Sequence, residues 1–118
     1  MRDDRPYLEY ILASIQRVES YLRGTSEVPD RARLDDDPVV QDAVLRRLET
    51  LSDAASHLSI GLKERHPEIS WREVSDFRNI LAHGYTGVDL DRVWGVIMDD
   101  LGQLRGVVEA ELSTPPGT

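Results

Sequence analysis

The sequence predicts an all-α fold, an up-and-down bundle of four main helices in a single domain that spans residues 1–118. Apolar residues recur every three or four positions along four segments, as in helices that bury one face. Helix-starting and helix-stopping residues bound most of these segments. No segment has the period-two alternation of a β-strand, and short connections between the helices favour an antiparallel bundle.

The first helix is predicted to begin near Pro6, because proline lacks the N–H group that the first helical turn leaves unpaired. Gly24 is a suitable C-terminal stop. We expect residues 24–36 to form a mobile loop, since they include Pro29 and a run of acidic residues. The apolar stripe of this helix consists of Leu8, Ile11, Leu12, Ile15, Val18 and Leu22.

The second helix is predicted over residues 37–63, with Asp37 as N-cap and Pro38 in the first helical position. Pro67 disfavours a helical conformation at His66, so the helix should end before that residue. Its apolar stripe consists of Val40, Val44, Leu48, Leu51, Ala55, Leu58 and Leu62.

Two further helices are predicted in the second half of the chain. Ser70 and Glu73 have the spacing of a capping box at the start of the third helix, and Gly84 is expected to end it. Asp89 is the predicted N-cap of the fourth helix, and residues 113–118 are expected to be frayed. The core positions are Val74, Phe77 and Leu81, followed by Leu90, Val93, Ile97, Leu101, Leu104, Val108 and Leu112.

Composition excludes several functional classes. The chain has no cysteine, which excludes disulfides, thiolate metal sites and a cysteine nucleophile. The three histidines lack the spacing of a metal site, and no segment is apolar enough to span a membrane or to act as a secretory leader. We therefore expect no metal, no cofactor and a cytoplasmic location. A net charge of −8 argues against sequence-blind nucleic-acid binding, so action on RNA would need a local basic site or a partner.

Basic residues cluster at two places, Arg31 with Arg33 and Arg46 with Arg47. Carboxylates lie beside both pairs, which favours a solvated mixed-charge surface over a binding patch. Three tyrosines of the first helix fit either core packing or a dimer interface: Tyr7, Tyr10 and Tyr21.

Groups capable of chemistry are concentrated at the end of the third helix. Helical geometry places Arg78 and Tyr85 on one stripe and Asn79 with His83 on the next. An imidazole can accept or donate a proton near pH 7, and a guanidinium matches phosphate oxygens. These groups therefore suit phosphodiester chemistry without a metal. Since each chain carries only one such histidine, a two-fold dimer would be needed to bring two into one cleft.

A purely structural interpretation of the same groups remains open. Arg78 could serve as the ion-pair partner of Asp76 or Asp89. A histidine in the last turn is favoured by the helix macrodipole without any catalytic role. His57 and His66 are best explained as a surface or half-buried residue and as part of a His-Pro turn.

The spacing Arg78-Asn79-x3-His83-x-Tyr85 resembles the R-x4-H-x-Y motif of the HEPN superfamily, specifically of the HepT toxins. The likeness includes the upstream segment His-Pro-Glu-Ile-x-Trp at 66–71 and extends from about residue 7 to residue 104. Family members often have Gly-Glu-Ala where this chain has Ser52-Asp53-Ala54, so the carboxylate is kept but shortened.

The resemblance implies a homodimer with the motif near its two-fold interface, acting as the toxin of a toxin–antitoxin pair. It implies a metal-independent endoribonuclease with Arg78 and His83 as its catalytic pair and Asn79 and Asp53 in supporting positions. It also implies a partner, a MntA-type nucleotidyltransferase antitoxin that silences the toxin by transferring AMP to Tyr85. The rival hypotheses are a non-catalytic HEPN module that binds a nucleotide or a protein partner, and a plain structural dimer.

Overall fold

The computed structural model describes residues 3–81 and 87–114, apart from the side chain of Ile80. These residues form helices and no strand, so the all-α prediction is confirmed for this part of the chain. The predicted helix stop at Gly84 and residues 115–118 of the predicted frayed tail lie outside the described residues. The elements are α1 (Arg5–Arg23), α2 (Arg31–Asp36), α3 (Pro38–Ser56), α4 (Ile60–Arg65), α5 (Trp71–Leu81), α6 (Leu90–Gly95), a π-helical turn (Val96–Asp100) and α7 (Leu101–Ser113).

Helix α1 packs against α3 and α7, and α3 in turn packs against α5. The predicted apolar stripes form the core. Four of their residues are only half-buried, at the edge of the core: Leu12, Leu81, Leu90 and Leu112. Periodicity alone therefore identified the buried face of each main helix.

The predicted loop at residues 24–36 is wrong in its second half, because residues 31–36 form α2. Asp30 caps this helix by accepting a hydrogen bond from the N–H of Ala32 at 3.0 Å. Leu34 is fully buried, and its carbonyl accepts a hydrogen bond from the Gln41 amide at 3.1 Å. Only one apolar side chain anchors this six-residue helix. Such a segment contains no repeated apolar spacing, so periodicity could not detect it.

The predicted second helix is also wrong in its continuity, because it is divided into α3 and α4. Ser59 lies between them in an extended conformation and accepts a hydrogen bond from the N–H of Leu62 at 3.2 Å. The Asp4 carboxylate, 55 residues earlier in the chain, accepts hydrogen bonds from the N–H and the hydroxyl of Ser59 at 2.8 and 2.6 Å. This long-range anchor is invisible to local periodicity, which continues through Leu58 and Leu62.

The predicted fourth helix is present as α6, the π turn and α7, which follow one another without a break. Asp89 caps it as predicted, accepting from the N–H groups of Asp91 and Arg92. Ser113 is still helical, so the predicted tail begins one residue too early. None of the described helices combines the length and the apolar character that crossing a membrane requires.

Candidate active site at the end of α5

Side-chain hydrogen bonds fix the start of α5. The Ser70 hydroxyl accepts a hydrogen bond from the N–H of Glu73 at 3.4 Å, which is one of the two contacts of the predicted capping box. The Trp71 indole N–H is shared between the main-chain carbonyls of Lys63 and His66, at 3.1 and 3.0 Å. These contacts hold α5 against the end of α4 and so set the direction in which its last turn points.

A buried serine joins α5 to α3. Ser52 is fully buried, and its hydroxyl lies 2.8 Å from the carbonyl of Val74 and 3.2 Å from that of Ser75. A buried hydroxyl without a partner would be costly, so this contact favours one position of α3 along α5. The neighbouring residue on α3, Asp53, is thereby brought to the exposed side of the same junction.

Asp53 lies between two cationic or potentially cationic side chains. Its Oδ1 is 3.7 Å from Nη1 of Arg78, and its Oδ2 is 3.9 Å from Nε2 of His57. The Arg78 and Asp53 side chains are both 58% exposed, so this ion pair orients the guanidinium without burying it. The His57 ring stacks on the ring of Tyr7, with centroids 5.2 Å apart and planes 13° apart. The carboxylate and the guanidinium therefore remain accessible to a solute.

The last described turn of α5 borders an open groove on the side that faces α3. Arg78 and Asn79 are both exposed on this groove, and the Asn79 amide donates to Asp76 Oδ1 at 3.5 Å. The groove is lined by Glu49, Ser75, Arg78, Asn79 and Leu81. A guanidinium and an amide at an open groove can both donate hydrogen bonds to an anionic ligand.

The opposite side of α5 has a very different electrostatic character. A cleft between α5 and the π turn contains the carboxylates of Glu73, Asp76, Asp99 and Asp100, with Arg92 as the basic residue among them. Burial, assisted by Glu73 and Asp99, raises the pKa of Asp100. Within the described ranges, no group of three or more histidine or carboxylate side chains is arranged to hold a metal ion. A phosphate would be repelled from this cleft, which leaves the α3 side as the favourable approach to α5.

The structure brings together some of the predicted site residues. Arg78 pairs with Asp53 rather than with Asp76 or Asp89, the partners that its structural interpretation offered. Asn79 borders the same groove, whereas His83 and Tyr85 lie outside the described residues.

Sequence reasoning missed the position of His57 beside Asp53. His57 is the C-cap residue of α3 and lies four residues after Asp53, a spacing that places side chains together on a helix and could have indicated the contact. The stacking of His57 on Tyr7 joins two helices and has no comparable local signal.

The chain is similar to known proteins along most of its length. The family described as "Ribonuclease HepT-like" matches residues 11–111. "Probable ribonuclease HepT" of Thermococcus cleftensis is 35% identical over 108 residues, covering 92% of this chain and 94% of that protein. "Putative RNase TTE0752" of Caldanaerobacter subterraneus subsp. tengcongensis is 31% identical over 109 residues, with coverage of 92% and 94%.

A third relative is longer than this chain. "Gamma-glutamylcyclotransferase and putative RNase MJ0434" of Methanocaldococcus jannaschii is 35% identical over 107 residues, which are 88% of this chain but 45% of that protein. No solved structure matches the chain significantly. The family match covers most of the helical bundle and includes the junction of α3 with α5. The chain therefore belongs to the HepT-like ribonuclease family.

Proposed function

We propose that the chain is a metal-independent endoribonuclease and the toxin of a toxin–antitoxin pair. The observation that carries the proposal is the position of Arg78, exposed on the groove beside α3 and paired with Asp53 at 3.7 Å. A guanidinium held in this way is available to the oxygens of a phosphodiester. Membership of the HepT-like family supports the reaction class, as do the names of the relatives.

The proposed reaction is an internal transesterification of RNA. The ribose 2′-oxygen attacks the adjacent phosphorus while its proton passes to a base, and the departing 5′-oxygen takes a proton from an acid. The products are a 2′,3′-cyclic phosphate and a 5′-hydroxyl. His83 is the proposed proton-transfer group, and Arg78 stabilises the charge that develops on the phosphoryl oxygens. Asn79 orients the imidazole in this scheme, and Asp53 orients the guanidinium.

A homodimer completes the proposed site. In an in-line displacement the attacking 2′-oxygen and the departing 5′-oxygen lie on opposite sides of the phosphorus, so one imidazole would not reach both. A two-fold interface would present two copies of the motif to one cleft. The two imidazoles would then divide the roles, one accepting the 2′-proton and the other protonating the leaving oxygen. Cytoplasmic RNA is the proposed substrate.

Cleavage of cellular RNA by the purified protein tests the catalytic assignment. Arg78→Ala and His83→Ala should each abolish cleavage, because each removes a proposed catalytic group. Neither residue lies on an apolar stripe, so the fold should survive both changes. Arg72→Ala is the matched control, since Arg72 is also exposed on α5. Equal cleavage by the wild type, Arg78→Ala and His83→Ala would refute the assignment.

Control by an antitoxin is the second part of the proposal. A MntA-type nucleotidyltransferase would direct the Tyr85 hydroxyl to the α-phosphorus of ATP, forming a phosphodiester to AMP and releasing pyrophosphate. The bulky anion beside the motif would then obstruct RNA. Coexpression with the nucleotidyltransferase should increase the intact mass by one or more AMP units, and Tyr85→Phe should prevent the increase. An unchanged mass of the wild type would contradict this assignment.

A non-catalytic module that binds a nucleotide or a protein partner is the alternative proposal. Two observations favour it: the net charge of −8, which disfavours a polyanionic substrate, and the presence of one motif histidine per chain. Tight binding of RNA or nucleotide by the wild type without any cleavage product would favour the alternative over the ribonuclease.

A further inference from the structure

In each of the two basic pairs of the sequence, one arginine has a carboxylate partner in the part of the chain that the structure describes and the other does not. Arg31 forms ion pairs with Asp35 and Asp91, and Arg46 forms an ion pair with Glu49. The second member of each pair, Arg33 or Arg47, has no carboxylate partner among the described residues. The mixed-charge surface that the sequence favoured is therefore correct for only half of these arginines.

Three arginines lie around Tyr21: Arg33 contacts its main chain, and Arg17 of α1 and Arg47 of α3 lie near its phenol. The Arg33 guanidinium donates a hydrogen bond to the main-chain carbonyl of Tyr21 at 2.7 Å. Hydrogen bonding by Arg17, followed by that of Arg47, lowers the pKa of the Tyr21 phenol. Arg17 is exposed, and the other three side chains are half-buried. We call these four residues, Arg17, Tyr21, Arg33 and Arg47, the Tyr21 patch.

The charge of this patch is uncompensated. The chain has 22 acidic and 14 basic residues, yet none of the three arginines pairs with a carboxylate in the described part of the chain. Each guanidinium has five N–H donors, far more than a phenol and a carbonyl can accept. Most of these donors therefore face water, in the planar geometry that matches phosphate oxygens.

The position of the patch relates it to the candidate active site. Tyr7 stacks on His57, the C-cap residue of α3, and the Tyr21 phenol lies near Arg47 of α3, so both positions lie along the junction of α1 with α3. Tyr7 and Tyr21 lie close to four helical turns apart, which places them on the same side of α1, separated by roughly 21 Å. A strand bound near Arg78 would reach the Tyr21 patch several nucleotides from the cleaved bond.

We propose that the Tyr21 patch is a binding site for the phosphate backbone of the RNA strand, remote from the bond that is cleaved. This inference rests on the proposed ribonuclease function. Three arginines would contact backbone phosphates, and the Tyr21 ring beside them would offer a surface for a base. The site also explains how a protein of net charge −8 holds a polyanion, since the attraction is local rather than general.

Binding of a single-stranded oligouridylate to the chain of residues 1–118 tests the proposal. The chain carries His83→Ala throughout, so that no cleavage occurs during the measurement. The patch variant is Arg17→Gln with Arg47→Gln. Arg33 is left unchanged, because its guanidinium packs against Gly24 and donates to the Tyr21 carbonyl. The matched control is Arg31→Gln with Arg46→Gln, which removes the same charge from arginines that are already paired. Thermal unfolding of both variants verifies that they are folded.

The patch variant should bind the RNA about tenfold or more weakly, equivalent to the loss of about 1.4 kcal/mol. Its slope of log affinity against log salt should decrease by about 1.4, or roughly 0.7 for each lost phosphate contact on a single strand. The control variant should remain within about twofold of its parent, as expected for exposed paired charges.

Equal weakening by both double variants, or unchanged affinity of the patch variant, would overturn the proposal. If the patch variant instead loses only affinity for an acidic polypeptide such as polyglutamate, the patch recognises protein and the RNA proposal is wrong. Should the double variant fail to fold, the single substitution Arg17→Gln, at an exposed position, still tests the salt slope. Failure of the proposed ribonuclease function would be seen in a separate experiment, as a lack of RNA cleavage by the wild type. The binding assay does not depend on cleavage, so the two failures are distinguishable.

Discussion

Removing the charge of Glu111 should destabilise the fold strongly and in a pH-dependent way. Its carboxylate accepts from Nη2 of Arg65 at 2.7 Å and lies 2.7 Å from Nε2 of His66. The His66 and Glu111 side chains are only 17% and 16% exposed, so the contact between them is shielded from water, whereas the Arg65 side chain is 57% exposed. The two contacts fasten the turn before α5 to α7, and Glu68 at 3.2 Å contributes on the other side of the imidazole.

The magnitude follows from these contacts. A hydrogen bond that involves a charged group contributes about 1.5–3 kcal/mol, and a glutamine in this position could still accept one of the two bonds. Glu111→Gln should therefore reduce the free energy of unfolding by about 2 kcal/mol. Glu109→Gln is the control on the same helix, because its partner Arg105 is 3.7 Å away and its side chain is 55% exposed. An exposed pair of that kind contributes about 0–1 kcal/mol.

The pH dependence follows from two pKa shifts. Hydrogen bonding to Glu111, with a smaller contribution from Glu68, raises the pKa of His66 above 6.5. The stabilisation of the fold by the protonated His66 is therefore complete below pH 6.5 and is lost as pH rises through the raised pKa. Hydrogen bonding to Arg65 and then His66 lowers the pKa of Glu111 below 4.5, so this stabilisation is complete above pH 4.5 and is lost as pH falls through the lowered value. Both contributions are therefore complete between pH 4.5 and 6.5.

Urea unfolding followed by tryptophan fluorescence measures the effect, at pH values inside and on either side of that window. The difference between the wild type and Glu111→Gln should be largest inside the window and should shrink toward both extremes. A loss no greater than that of Glu109→Gln, or a loss of the same size at every pH, would refute the reasoning.

Two further substitutions test other parts of the fold and site. Leu34→Ala should lower the free energy of unfolding, measured with urea, by about 2–5 kcal/mol, because Leu34 is the fully buried anchor of α2. Val28→Ala, at a 67% exposed position, is the control. Equal losses for the two variants would show that α2 contributes little to the core. Asp53→Asn should lower kcat/KM for RNA cleavage by about 1.4- to fivefold, corresponding to an exposed ion pair of about 0.2–1 kcal/mol. The effect should fall mainly on kcat, since Asp53 orients Arg78, whereas Asp42→Asn on the same helix should leave both constants unchanged.

Local signals were sufficient for the main helices of this fold. Pro38 after Asp37, Ser70 before Glu73 and Asp89 before the last stripe act within one helical turn, so they could be identified without tertiary information. Features that depend on distant parts of the chain could not be identified from local sequence signals. The break between α3 and α4 involves Asp4, and α2 is held by the burial of one leucine.

The candidate site shows the same division. The motif spacing predicts Arg78 and Asn79 as site residues, and both are exposed on α5, away from the apolar stripe, as helical periodicity indicates. The partner of Arg78 could not be derived from the sequence, because Asp53 reaches it across a helix junction that is set by the buried Ser52 hydroxyl. The convergence of arginines on Tyr21 likewise depends on how α1 and α3 are packed.

The central claim is that the Arg78 motif cleaves RNA without a metal ion. Its most direct test is the incubation of single-stranded RNA with the wild type and with Arg78→Ala in excess chelator, followed by analysis of the product ends. The account predicts 2′,3′-cyclic phosphate and 5′-hydroxyl ends from the wild type, and a rate lower by about a hundredfold or more for Arg78→Ala. Wild-type cleavage that disappears with chelator, or equal rates for the two proteins, would contradict it.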